Sequence, residues 1–269
     1  MTPALGMSFA PMGAEREVIE TSEDAVLGGR LRLRQPLRGH RVGHDAILLA
    51  AATAAHAGEH AVDLGAGVGA AGLALASRVA ELKVTLVEID HGLCALAGGN
   101  ARLNGLDDRV KVVACDAGNA EALAAAGLAA GSADCVLMNP PFHDAGRQNV
   151  SPDPRRRLAH VGEPDLLPRW IASAARLLKP QGALTLIWRA DALADVQSAL
   201  AGTFGGIAVL PVYPRADAPA IRVLVRAVKG GRAAPRNYPG LVLNDQDGRP
   251  TAAAEAVLRG GETLNIAQA

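Results

Sequence analysis

The sequence predicts an α/β protein built on a doubly wound sheet of seven strands, mostly parallel with an antiparallel last strand, plus a small N-terminal extension. Three observations lead there. Short β-rich runs at 60–64, 84–88, 110–115, 133–138 and 183–188 alternate with alanine-rich helical stretches at 68–79, 93–103, 120–126 and 164–178. That alternation is the signature of parallel βαβ units. Two more strand-like runs, 207–213 and 221–228, are joined through Pro214 and Pro219 with no helix between them, so they pair antiparallel. A glycine-rich turn, Asp63-Leu64-Gly65-Ala66-Gly67-Val68-Gly69, ends the first of these strands and opens a helix.

Bulk properties set the frame. A chain of 269 residues with 49% hydrophobic residues has ample material for one large core. Lys+Arg and Asp+Glu balance at 27 each, so net charge announces no nucleic-acid partner, and any such binding has to use local basic patches. The three cysteines, Cys94, Cys115 and Cys135, match neither a zinc pattern nor a disulfide framework, which makes a reducing cytoplasm the expected setting and a bound metal unexpected. The first twenty residues lack the basic start and apolar run of a signal peptide, and no apolar segment is long enough for a membrane span.

Taken in order, residues 1–22 show no periodicity and are expected as a loose lead-in. Arg30-Leu31-Arg32-Leu33-Arg34 alternates polar and apolar, as in a half-exposed strand with three arginines on one face. From Ala25 to His44 there are arginines at 30, 32, 34, 38 and 41 and no acid. Asp45 then opens an apolar helical run to Ala55. These pieces form the extension, 1–56, expected to pack over the ligand site, and the main domain is 57–269. Within it, Lys179-Pro180-Gln181-Gly182 is expected to end a helix before its strand. The tail offers a short strand at 241–243 and a helix at 251–258.

The candidate site lies at the carboxyl ends of the strands, where ligands bind in open α/β sheets. Asp63, Glu88, Asp116 and Asn139 stand at four successive strand ends. The glycines Gly65, Gly67 and Gly69 let the turn approach a ligand closely, and the helix behind them offers free N–H groups. Gly67 to Gly72 is also a G-x-G-x-x-G, with Glu88 about 20 residues beyond Gly67, as in a dinucleotide fingerprint. Asp63 favours a different ligand, because a carboxylate beside the turn suits a cation better than a pyrophosphate. S-adenosylmethionine carries two cationic groups, a sulfonium and an ammonium. Glu88 would take the ribose hydroxyls in either reading, and Asp116 would accept from an adenine amino group.

Asn139-Pro140-Pro141-Phe142 forces the chain out of the sheet, since neither proline donates to a ladder. The turn offers two acceptors, Asn139 Oδ1 and the Pro140 carbonyl, with the Phe142 ring beside them. A planar amine such as an adenine or glutamine NH2 fits that set: both hydrogens are held, the plane is stacked on Phe142 beside Pro141, and the nitrogen lone pair is turned outward. Basic stretches follow the turn, with Arg147, Arg155, Arg156 and Arg157, and recur from Arg222 to Arg236 with no acid among them. With the arginines at 30–41 they make three candidate phosphate-binding patches. His143 and His160 are available to take a released proton.

With D-x-G-x-G-x-G, an acid at strand two, an Asp at strand three and NPPF after strand four, residues 60–145 resemble the class I S-adenosylmethionine-dependent methyltransferases, which have a Rossmann-like fold. More narrowly, Gly39-His40-Arg41-Val42-Gly43-His44-Asp45-Ala46-Ile47-Leu48-Leu49-Ala50 is similar to a segment of the bacterial enzymes that methylate adenine N6 in valine tRNA. The tail, with Leu241-Val242-Leu243 and Ala256-Val257-Leu258-Arg259-Gly260, looks like that group too. The resemblance implies that Gly43 and Asp45 close over the methionine end of the cofactor, that Asn139, Pro140 and Phe142 carry catalysis, and that Pro141, Phe142 and Arg155–Arg157 meet the substrate. It implies a cytoplasmic enzyme working on tRNA as a monomer or homodimer. Related enzymes use the same turn on rRNA guanine N2 or on release-factor glutamine, so those acceptors stand beside adenine, and an NAD(P)-binding oxidoreductase stands as the reading from another class.

Overall fold

The computed structural model describes residues 20–38, 41–141 and 165–268. The chain begins with a hairpin of β1 (Thr21–Val26) and β2 (Leu31–Pro36), paired antiparallel, followed by α1 (His44–Ala52). The alternating core then runs β3 (His60–Leu64), α2 (Ala70–Arg78), β4 (Lys83–Glu88), α3 (His91–Leu103), β5 (Val110–Ala114), α4 (Ala120–Ala125) and β6 (Ala133–Met138). After it come α5 (Leu166–Leu177), β7 (Leu178–Arg189), α6 (Leu193–Leu200), β8 (Phe204–Tyr213) and β9 (Arg222–Lys229). Two short strands, β10 (Arg236–Asn237) and β11 (Leu241–Val242), and α7 (Ala252–Leu258) finish it.

The main sheet has the order β10-β8-β9-β7-β6-β3-β4-β5, with β11 also on β8. β5, β4, β3, β6 and β7 are mutually parallel, and β9 runs antiparallel to both β7 and β8. The mostly parallel, doubly wound architecture matches the sequence expectation. The strand number does not: the sheet has nine strands rather than seven. The additional two, β10 and β11, are two residues each and pair parallel with the outer strand β8. A two-residue strand has no periodicity to display, and only the outer edge of β8 makes those residues extended. The lead-in is also shorter than expected, since Thr21 and Ser22 already belong to β1. Gln181 sits at φ +65°, so the turn expected at 179–182 is there, folded into the irregular start of β7.

Apolar side chains fill both faces of the sheet. On one face α1, α2 and α3 pack with β2 through Leu31, Leu33, Leu48, Leu49, Leu73 and Leu75, joined by Val257 and Ile266 of the tail. On the other, α4, α5 and α6 pack through Leu123, Trp170, Ile171, Leu177 and Val196. The hairpin is fastened by side-chain amides rather than by another strand. Asn104, which caps the end of α3, and Asn100, one turn before it, each accept from and donate to the β2 backbone, at Arg32 and Arg34 respectively. Asn100, with no exposed surface, donates also to the Val68 carbonyl in the glycine-rich turn, so one amide links the hairpin to the ligand-binding end. Among the described residues no helix is long and apolar enough to cross a membrane.

Candidate active site

Register fixes the site before any side chain is considered. Leu64 is paired with Val87 on one side and Met138 on the other, and Glu88 with Ala114. The residues that leave the sheet next to one another are therefore Asn139, Gly65, Glu88 and, two residues past the end of β5, Asp116. The sequence-predicted residues thus gather along one edge.

Gly65, Gly67 and Gly69 adopt φ values of +72°, +58° and +89°, the left-handed region that side chains with a Cβ avoid. Gly65 and Ala66 both donate to the Val87 carbonyl, laying the turn over the end of β4. Gly72 brings α2 down on the sheet, since a Cβ there would stand 3.1 Å from Asp63 Oδ2 and 3.2 Å from Val84. The two acids then tie the loop from below. Asp63 Oδ2 accepts from the Gly72 N–H at 2.9 Å, and Glu88 Oε2 accepts from the Gly67 N–H at 2.9 Å. Glu88 Oε1 accepts from Ile89 and Asp90 as well.

Asp63 is 2% exposed and lies beneath the helix, so it faces the loop backbone rather than open solvent. Burial pushes its carboxyl up to about 7, against the opposing pull of the Gly72 hydrogen bond, and the nearby Glu88 pushes it further up. Asp116, half-buried, accepts from the Gly118 N–H at 2.7 Å in a tight turn.

Asn139 is half-buried, Pro140 buried and Pro141 exposed. Among the described residues no donor engages Asn139 Oδ1 or the Pro140 carbonyl. Gly43 caps the start of α1, and Asp45 in its first turn pairs with Arg222 at 2.9 Å, both part-buried. Because β9 is antiparallel, Arg222 stands at the same carboxyl edge, and the pair holds α1 there. Phe142, Arg147, Arg155, Arg156, Arg157, His143, His160, Gly39 and His40 lie outside the described residues.

Two of the three arginine stretches differ from the sequence expectation. Arg32 and Arg34 pair with Glu23, and Arg41 with Asp24, acids supplied by the neighbouring strand β1. In the later stretch Arg222 is held by Asp45, Lys229 donates to the Leu178 carbonyl, and Arg226 is pressed into the sheet, where burial lowers its pKa. Sequence distance hid these partners.

The cysteines are poor nucleophiles. Burial pushes Cys94 up to about 11 and Cys135 up to about 12, and raises Cys115. No group of three metal-ligating side chains occurs among the described residues. What the edge offers is a set of hydrogen-bond acceptors around a glycine-rich turn. Trp170 on α5 was missed from the sequence. It packs against Gly65 and Gly118, and the signal for it was a rare aromatic on the strongly amphipathic helix that follows the Asn-Pro-Pro turn.

A tRNA1(Val) (adenine(37)-N6)-methyltransferase from Porphyromonas gingivalis is 32% identical over 161 residues, which cover 58% of this chain and 62% of the relative. A release factor glutamine methyltransferase from Chlorobaculum tepidum is 28% identical over 162 residues, 58% of this chain and 54% of the relative. Less than two thirds of each relative's length is therefore matched. A crystal structure of a predicted O-methyltransferase from Agrobacterium tumefaciens superposes with a TM-score of 0.69 at 29% identity, covering 82% of this chain and 98% of the other. Residues 41–212, from the Arg41 turn through the outer strand β8, match the methyltransferase small domain, and the chain belongs to that family.

Proposed function

We propose that this protein transfers a methyl group from S-adenosylmethionine to adenine N6 in a tRNA. The observation that carries the reading is the Asn139-Pro140 turn, which leaves the sheet beside Gly65 and so sets its two acceptors next to the glycine-rich loop. The cofactor supplies an electrophilic methyl group on a sulfonium. The chain's own contribution is orientation. An aryl amine is a weak nucleophile because its lone pair is delocalised into the ring. Asn139 Oδ1 and the Pro140 carbonyl each accept one amine hydrogen, which favours a pyramidal nitrogen with its lone pair aimed along the line of attack. The amine becomes acidic only after alkylation, so no strong base is needed beforehand. The raised thiols are in keeping with chemistry that uses no cysteine nucleophile.

Glu88 and Asp116 are suited to the ribose and the adenine amino group of the cofactor, and Asp63 sets the charge of the loop from beneath. Asp45, held by Arg222, keeps the start of α1 at the edge where the methionine end would lie. The extension assigned on sequence to residues 1–56 contains the hairpin and α1, whose Gly43 and Asp45 would lie over the methionine end of a ligand bound to the domain assigned to 57–269. To reach Asn139 an adenine has to leave its stack, which single-stranded loop nucleotides do readily. Support for adenine comes from the tRNA-modifying relative, and Phe142 and Arg155–Arg157 are assigned to the substrate on sequence alone.

A second reading, methylation of a protein glutamine, is favoured by the glutamine-modifying relative and by the equal fit of a carboxamide NH2 to the same two acceptors. One experiment separates them. The enzyme is incubated with methyl-labelled cofactor and either bulk tRNA from a strain lacking this gene or release factor, and the labelled product is hydrolysed and identified. Label in N6-methyladenosine supports the proposal; label in methylglutamine replaces it.

A further inference from the structure

Asn100 lies on α3, away from the row of strand ends, yet its side-chain amide reaches the glycine-rich turn. It has no exposed surface. Oδ1 accepts from the Arg34 N–H at 2.7 Å, and Nδ2 donates to the Arg34 and Val68 carbonyls, each at 3.0 Å. A side-chain amide has two N–H donors, so both are used. The two bonds to Arg34 satisfy the outer edge of β2 as a further strand would. The bond to Val68 does nothing for the hairpin.

Val68 stands between Gly67 and Gly69, with its side chain buried. The rest of the turn is held from other directions: Gly65 and Ala66 by the Val87 carbonyl, Gly67 by Glu88, and the Gly69 N–H by the Ala66 carbonyl. The peptide unit joining Val68 to Gly69 is therefore fastened at its N–H by the turn and at its carbonyl by Asn100. Among the described residues no other side chain bonds to it. That peptide is the weak point of the turn. Gly69 sits at φ +89°, and a glycine takes either sign of φ at little cost, so its backbone offers little resistance to the peptide turning over. Turned over, the peptide would break its bond to Ala66 and disturb the start of α2, for which Gly69 is the N-cap.

We infer that Asn100 is a positioning residue for the cofactor: by holding the Val68 carbonyl it keeps the glycine-rich turn in its binding shape before the ligand arrives. This rests on the S-adenosylmethionine reading and is independent of which amine is methylated. Asn100 is fully buried and acts only through the backbone of the turn. Its loss makes binding weaker because part of the binding energy then goes into ordering the loop.

The fold supplies its own control. Asn104 makes the same pair of bonds to β2, at Arg32, and none to the turn. Calorimetry with S-adenosylhomocysteine on wild type, Asn100→Ala and Asn104→Ala is run well below each melting temperature. Under those conditions global stability does not change the affinity of protein that is already folded, so a purely structural role leaves the readout still. Asn100→Ala should bind about three- to tenfold more weakly, the loss of one neutral hydrogen bond on the loop, while Asn104→Ala stays within about twofold of wild type. Hydrogen exchange in the ligand-free protein should quicken over residues 65–72 in Asn100→Ala and not in Asn104→Ala. Where Asn100→Ala does not fold, Asn100→Asp is read the same way, since it keeps an acceptor for the Arg34 N–H and has no N–H for Val68. Unchanged affinity in the folded Asn100 variant overturns the inference and leaves Asn100 as a fastener of the hairpin. An equal loss in both variants overturns it too, because the effect would then come from the seating of the hairpin. Failure of the wild type to bind S-adenosylhomocysteine would instead remove the cofactor reading.

Discussion

Asp63→Asn should make the stability of the ligand-free protein depend less on pH, with a sign opposite to that of a salt-bridged carboxylate. The buried carboxyl titrates at about 7 instead of 3.8. A raised folded-state pKa means that the folded protein holds a proton the unfolded chain has already released. The stabilising contribution is full below about pH 4 and is lost as pH rises through 7. The whole span is roughly 4 kcal/mol, more than half of it between pH 5 and 7.5. Relaxation around the charge makes these upper values. Asparagine keeps an oxygen for the Gly72 N–H and cannot ionise. Its buried NH2 adds an offset that does not vary with pH. Urea denaturation of both proteins without cofactor, at pH 5, 6, 7 and 7.5, should show the variant gaining on wild type at each step. Parallel curves, with a difference constant to about 0.5 kcal/mol, would refute the burial-driven titration of Asp63.

Asn139→Ala should leave S-adenosylhomocysteine affinity near wild type by calorimetry while lowering turnover about a hundredfold or more, because the amide acts on the amine in the transition state. Asn100→Ala should destabilise the fold by about 2–3 kcal/mol in urea, since it strands backbone groups of Arg34 and Val68 that Asn100 now satisfies; a loss under 0.5 kcal/mol would show the hairpin held by its apolar face alone. Replacing Arg155, Arg156 and Arg157 by Ala should weaken binding to any RNA sequence and flatten the dependence on salt, which for wild type should fall at roughly the 0.7–0.9 power of salt per phosphate contacted. A flat wild-type salt response would sink the RNA substrate.

Much of this fold was legible because parallel sheets alternate with helices on a period long enough to see. The ligand edge was legible because its chemistry is local: Asp63, the glycines and Asn139-Pro140-Pro141 sit within single turns. What stayed hidden is non-local. The arginines at 32, 34 and 41 look unopposed along the chain, yet a hairpin brings Glu23 and Asp24 against them. Arg222 and Asp45 are 177 residues apart and meet because an antiparallel strand returns to the carboxyl edge. The strands β10 and β11 exist only as additions to β8. Trp170 gave a signal of composition, but its place under Gly65 and Gly118 required the packing of α5 on the sheet.

The same non-local contacts decide between the two ligands that Gly67 to Gly72 allows. A pyrophosphate at a glycine-rich turn is held by the free N–H groups of the loop and the helix start. Here Gly67 N–H is given to Glu88 and Gly72 N–H to Asp63, so two donors of the fingerprint are already spent on carboxylates. A phosphate charge about 5 Å from an ionised carboxylate is opposed by roughly 3 kcal/mol at an effective dielectric near 20, and a cation at that distance gains as much. Asp63, half-protonated near neutrality, adds to this when a cation draws its proton away. The loop thus selects against a dinucleotide by the charge beneath it, although its glycine spacing suits one. Thermal shift measurements at pH 7.5 should therefore show stabilisation by S-adenosylhomocysteine and none by NADH at the same concentration. Equal stabilisation by the two would mean that the carboxylates yield their donors to phosphate, and the electrostatic account of the loop would have to be abandoned.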